Sequence, residues 1–263
     1  MKGPMKVIDL NADLGEADNR DWAQAESAML VYVTSANIAC GGHAGTPKSM
    51  RHMVRGANEH GVVIGAHPSY PDKVHFGRRS LQLGKDITKD ALTASLMEQI
   101  TTLAEIAAEE GSFLAYVKPH GALYNDAVSD KAKAEIIAST IAKIDSGLSL
   151  MGAPFGALKE AAKDYGLSYI AEGFIDRRYM PDGHLQPRSE NGAVIASQQA
   201  RLVQAKKMIT QGIVTAANGQ DIPLNVKTLC LHGDSEGALE TARLVHREIQ
   251  ACGIMIKAHS HAS

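Results

Sequence analysis

Short β-branched, apolar runs alternate along this chain with longer amphipathic stretches, and that alternation constrains the fold most. Strands are expected at Val7–Asn11, Val33–Ala39, Val62–Ala66, Phe113–Lys118, Ser149–Gly152, Tyr169–Glu172 and Thr228–Leu231. Most are nearly continuous apolar runs, as in strands buried on both faces. Between them, helices are expected at Pro47–Glu59, Thr88–Glu110, Asp130–Ile144, Gly156–Tyr165, Ser197–Gln211 and Ser235–Ala251. Thr46 offers an N-cap, Pro47 suits the first helical position, and Gly61 suits the C-terminal cap. Such alternation implies parallel strands with right-handed crossovers. Seven strand–helix units in 263 residues suit one closed α/β barrel, with an open doubly wound sheet as the alternative.

The chain reads as a single domain over 1–263, with a flexible tail near 255–263. The one long irregular stretch, Asp176–Gly192, is expected to act as a lid or docking loop. Lys plus Arg number 27 against 29 Asp plus Glu, so the basic excess of nucleic-acid and membrane-surface proteins is missing. No apolar run reaches the ~20 residues that span a bilayer. Asp9 and Asp13 interrupt the first apolar stretch, which is therefore not read as a secretory signal. Cys40, Cys230 and Cys252 are odd in number and widely spaced, with neither a disulfide framework nor paired zinc spacing. A reduced, cytoplasmic protein is expected.

Function is written at the strand ends. The first strand runs into Asn11, Asp13 and Glu16. The second contains Asn37 and leads to Gly41, Gly42 and His43. The third ends at His67, and the fourth at Lys118 and His120, followed by Tyr124 and Asn125. The sixth ends at Glu172, before Asp176 and Arg177, and the seventh at His232 and Asp234. In parallel α/β folds these C-terminal ends form one face, which carries the chemistry. A single histidine at a strand end is ordinarily structural; several at equivalent positions point to a site. Asp13 and Glu16 could instead cap the first helix, and Asp9 is expected to be a buried structural partner. Gly41 and Gly42 make either a tight turn or an anion-binding backbone. Arg78 and Arg79, with Lys118, Arg177 and Arg188, suggest a small anionic substrate. Any phosphate chemistry proceeds without a P-loop or dinucleotide fingerprint, since neither motif occurs. A divalent metal, if bound, would take Asp13, His43 and His67, with His120 as a further ligand or an acid. The alternative is that these histidines bind substrate or move protons.

The motifs NADLGE at 11–16, SANIACGGHAG at 35–45, GAHP at 65–68, FGRR at 76–79, KPHGALYN at 118–125, Asp176-Arg177 and CLHGD at 230–234 resemble the LamB/YcsF family. The likeness runs from about Val7 to about Ala238. The resemblance implies a seven-stranded β/α (TIM-like) barrel of the glycoside hydrolase/deacetylase type. It implies ATP-dependent hydrolysis of 5-oxo-L-proline to L-glutamate, as the A component of a 5-oxoprolinase that also needs subunits B and C. In that setting Asp13 or Glu16 would serve as general base, and His67 or His120 would protonate the ring nitrogen. Lys118, Asn37 and the Gly41–His43 turn would stabilise oxyanion charge. Two other readings remain: a metal-dependent amidase or deacetylase without ATP, and a non-catalytic subunit that presents substrate. The sequence departs from the family pattern at Thr46, where an acidic residue is expected, and at His75, where glycine is expected. The segment after Glu16 is also shorter and more charged than the pattern.

Overall fold

The computed structural model describes residues 6–17, 20–232 and 237–259. The elements, in chain order, are β1 (Val7–Leu14), α1 (Arg20–Met29), β2 (Ser35–Ala39), α2 (Pro47–His60), β3 (Val63–His67), α3 (Lys89–Glu109), β4 (Tyr116–Val117), α4 (Gly121–Ser129) and α5 (Lys131–Ile144). They continue with β5 (Ser149–Gly152), α6 (Ala157–Asp164), β6 (Tyr169–Phe174), α7 (Gln198–Gln211), β7 (Ile213–Thr215), β8 (Asp221–Pro223), β9 (Thr228–His232), α8 (Ala238–Ala251) and β10 (Met255–Ile256).

The parallel strands β1, β2, β3, β4, β5, β6 and β9 follow one another, and β9 pairs back to β1, closing a seven-stranded barrel. The expected barrel is therefore the one observed. Local chemistry explains the helices that were legible. Thr46 accepts from the Ser49 N–H, and Gly61 adopts the left-handed conformation at φ +66°. Thr88 caps α3 by accepting from the Ala91 N–H.

Four features lie outside the sequence expectation: α1, α4, the antiparallel β7–β8 hairpin, and β10. Met255 and Ile256, at the start of the expected tail, pair with Val7 and Ile8. The fourth strand is shorter than expected, and Phe113 at its expected start is 73% exposed. No helix among the described residues is long and apolar enough to cross a membrane.

The strands also alternate more than their apolar appearance suggests. On β1, Leu10, Ala12 and Leu14 join the apolar layer beneath the helices. Asp9, Asn11 and Asp13, between them, are buried and hydrogen-bonded to side chains of other strands. Apolar packing thus lies outside the barrel, and a polar column runs up its interior.

Candidate active site

The column rises in layers. At its floor, the Asp9 carboxylate accepts from Thr34 (2.6 Å), Ser35 (2.8 Å) and Thr228 (2.5 Å). Burial pushes its pKa up against those bonds. Asp9 is thus the structural partner that its mid-strand position implied. Above it, Asn37 Nδ2 donates to Asn11 Oδ1 and to Asp13 Oδ1, each at 2.7 Å. Asn37 Oδ1 accepts from the Tyr116 hydroxyl at 2.6 Å. Gly65 makes room for that tyrosine, since a Cβ there would meet the Tyr116 ring.

Lys118 enters this layer from the end of β4. Its Nζ donates to Asp13 Oδ1 (2.7 Å) and to Cys230 Sγ (3.1 Å), and lies 2.8 Å from Glu172 Oε1. Only 1% of Lys118 is exposed. Burial opposes its charge, but Asp13, Cys230 and Glu172 together hold the ammonium well above the ordinary lysine value. Lys118 is therefore a fixed cation between two carboxylates.

At the mouth, Glu16, His43, His67 and His120 converge. One ligand-type atom from each lies within 4.8 Å of all the others, and all four residues are buried. His67 Nδ1 donates to the Lys118 carbonyl (2.8 Å), and His120 Nε2 to the Phe76 carbonyl (3.0 Å). In neutral rings this leaves His67 Nε2 and His120 Nδ1 as acceptors, and these two atoms are 3.0 Å apart. Glu16 Oε1 is 2.8 Å from His43 Nε2 and 3.3 Å from His120 Nδ1. His43 stacks on His120 with ring centroids 3.6 Å apart, and its Nδ1 is buried without a hydrogen-bond partner.

Lone pairs and a carboxylate meeting at one point require a cation. Burial, with His67 for His43 and with His43 for His120, pushes both rings well below the ordinary histidine value. Added protons are thus disfavoured there. Three imidazoles and one carboxylate are a donor set suited to zinc, manganese or iron(II), so the cluster fits a divalent metal. It takes Glu16 and His120 with His43 and His67, whereas the sequence suggested Asp13. Asp13 instead places Oδ1 on Lys118 and Asn37, with Oδ2 at 3.4 Å from His67 Nε2.

Two supports for the cluster were not visible in the sequence. Glu26, on α1, accepts from the backbone N–H of Gly15 (3.0 Å) and of Glu16 (3.1 Å). Burial and the Glu16 charge push Glu26 up to about 7. Phe76 has φ +54°, a strained value for an aromatic residue, and its carbonyl sets the His120 tautomer. Cys230, known from the sequence only as an unpaired thiol, turns out to contact Lys118.

A cavity of about 430 Å³ opens over this constellation, within the usual range for small-molecule sites. Its walls include Asp13, Glu16, His67, Lys118, His120, Tyr124, Asn125 and Glu172. Arg78, Arg177 and Arg188 line it too, the last two on the expected loop, which folds back through Arg177–Val194 and Tyr179–Leu185 bridges. Arg177 is buried; its Nη2 donates to the Gln186 carbonyl, while its Nε has no hydrogen-bond partner. Asn11, Asn37, His43 and Asp176 are buried behind the walls. Arg79 is exposed, 3.9 Å from Asp72. The Gly41 N–H bonds to the Ala44 carbonyl, and Gly42 packs against Gln99 and Ser69, so this is a turn. The His232 backbone pairs with Asp13 at the end of β9; its side chain and Asp234 lie outside the described residues.

Fold and site together define a seven-stranded β/α barrel with a buried carboxylate–histidine cluster at the C-terminal mouth. The chain belongs to the LamB/YcsF family, whose model matches residues 8–263. It is 42% identical over 258 residues to the A component of a 5-oxoprolinase from Symbiobacterium thermophilum, covering 98% of this chain and 97% of that protein. It is 45% identical over 253 residues to the Methylococcus capsulatus protein of the same name, covering 96% of each. Its structure superimposes on a lactam utilization protein from Thermus thermophilus with TM-score 0.87 and 37% identity, covering 97% of this chain and all of that one.

Proposed function

We propose that this chain is the A component of a 5-oxoprolinase, acting with partner subunits B and C in the ATP-dependent cleavage of 5-oxo-L-proline to L-glutamate. The relatives' names give the substrate and the role as one component of a larger enzyme. The observation that carries the catalytic reading is the joining of the Glu16–His43–His67–His120 cluster to the Asp13–Lys118–Glu172 network in one cavity.

An unstrained lactam is a poor electrophile, because attack must break amide resonance. ATP consumed by the assembled enzyme would activate the lactam oxygen as a phosphate. Arg177, with its free Nε, and the cavity-lining Arg78 and Arg188 suit the substrate carboxylate. Asp13, oriented by Lys118 and Asn37, accepts the proton of an attacking water through Oδ2. Lys118, held as a cation, stabilises negative charge developing on the carbonyl oxygen. Glu16, His43, His67 and His120 would hold a divalent metal, which when bound supplies Lewis acidity and lowers the pKa of its water toward ~7.

The test is glutamate release from 5-oxoproline and ATP, by the chain alone and with its two partners. Activity only in the complete mixture, abolished by Asp13→Asn, is the expected result. Metal-dependent lactam cleavage by the chain alone, without ATP, would establish the amidase reading that the histidine cluster also accommodates. Full turnover by the Asp13→Asn enzyme would leave this chain as a presenter of substrate.

A further inference from the structure

Glu172, on β6, is 1% exposed and lines the cavity. Its Oε1 forms the ion pair with Lys118, yet neither carboxylate oxygen accepts a hydrogen bond. Tyr124, on α4, also lines the cavity, and its hydroxyl is buried without a hydrogen-bond partner. The two belong to one neighbourhood. The Tyr124 ring packs edge-on against Phe174, two residues beyond Glu172, with centroids 5.6 Å apart. Lys118 Nζ lies 5.3 Å from the centroid of the same Phe174 ring.

Other phenols feel the same carboxylate, but their oxygens are occupied. Tyr169 donates to the Ala153 carbonyl (2.8 Å), Tyr116 donates to Asn37 (2.6 Å), and Tyr179 accepts from the Phe174 N–H (2.7 Å). Tyr124 differs from them in having no such partner. Burial, with Glu172 next, pushes the Tyr124 phenol well above its ordinary value, so it remains an O–H donor at neutral pH. Buried polar groups are hydrogen-bonded as a rule, and exceptions on a cavity wall call for a ligand.

The cavity thus offers an anionic acceptor beside a neutral donor. A lactam presents the matching pair. Ring closure forces its amide cis, which puts the N–H and the C=O on one edge; an ordinary trans amide sets them on opposite sides. We propose that Glu172 and Tyr124 are the specificity-determining pair for the ring amide, Glu172 accepting from the lactam N–H and Tyr124 donating to the lactam carbonyl. The ligand class is then lactams with a free N–H. This rests on the 5-oxoproline reading above and assigns the atoms that read the ring.

The lactone counterpart of 5-oxoproline tests the assignment. It keeps the carboxylate and the carbonyl but replaces N–H with a ring oxygen, which would set lone pairs against Glu172. Affinities for lactam and lactone are measured by calorimetry on the full chain, alone and in complex with its partner subunits. The lactam should bind at least about 100-fold more tightly, since a site built around a ligand N–H rejects the analogue lacking it. Glu172→Gln keeps the shape and can turn its amide N–H₂ toward the ring oxygen. In that variant the preference should fall below about tenfold. Tyr124→Phe should weaken lactam and lactone alike and leave their ratio unchanged, because both keep the carbonyl. A loss of structure would not produce this split. If the native chain binds both ligands equally, or if Glu172→Gln keeps the full preference, the subsite assignment is overturned while the 5-oxoproline reading stands. If neither ligand binds in either format, the 5-oxoproline reading falls, and the subsite with it.

Discussion

His67 Nε2 and His120 Nδ1 face each other at 3.0 Å, each left as an acceptor by a backbone carbonyl that binds the opposite ring nitrogen. Two acceptors at that distance repel unless a cation lies between them. Glu16 and His43 complete the enclosure. The purified chain should therefore retain close to one equivalent of zinc, manganese or iron, read by elemental analysis after dialysis. His120→Ala should weaken metal affinity by at least about 100-fold, more than the loss of an outer support costs. Metal-free protein whose melting temperature ignores added zinc and manganese would mean that a shared proton joins the two rings.

Lys118 answers for two buried carboxylates at once. Asp13 and Glu172 are 4% and 1% exposed, and both contact its ammonium. Lys118→Met keeps the length and removes the charge, stranding both acids. Breaking a buried pair from one side typically costs about 3–5 kcal/mol, so urea unfolding should lose that much stability near neutral pH. A loss below about 1 kcal/mol would show that the carboxylates are solvated or take up protons instead.

How far the sequence disclosed this site depends on the kind of signal each residue carried. Glu16, His43, His67, Lys118 and His120 stand beside strand ends, where the parallel topology gathers them, and so they were legible. The polar column was not. Asp9, Asn11 and Asp13 alternate with Leu10, Ala12 and Leu14, but small residues such as Gly65 and Cys230 dilute the period on other strands. Helix α4 begins at Gly121, and its N-cap, His120, makes no side-chain capping bond, so the segment read as a loop. Glu26 acts through tertiary contact with the backbone of Gly15 and Glu16, which no local pattern announces. Gly41 and Gly42 have the composition of an anion loop, but the choice between loop and turn was made by Gln99 on α3.

The thiols should divide sharply. Cys40 and Cys230 are buried, and burial pushes both well above the ordinary thiol value, which suppresses the reactive thiolate. Cys252 is partly exposed. Maleimide labelling of the native protein at neutral pH, followed by mass spectrometry, should modify Cys252 alone. In denaturant all three should react. Rapid native labelling of Cys230 would mean that the Lys118 layer opens to solvent.

Glu26 offers a way to weaken the cluster without touching a ligand. Its carboxylate accepts from consecutive N–H groups where β1 gives way to the loop carrying Glu16, and Gly15 sits there at φ +77°. Glu26→Ala leaves those donors without their acceptor in a buried turn. The expected cost is about 1–3 kcal/mol of stability, from thermal or urea melts. Glu16 would also lose the fixed backbone that aims it at His43, so metal affinity should fall about 10–100-fold in a chelator competition. Glu26→Gln, which keeps one acceptor oxygen, should recover part of both losses. If stability falls while metal affinity holds, the turn is fixed instead by the packing of Gly15 against Ile38 and Met53.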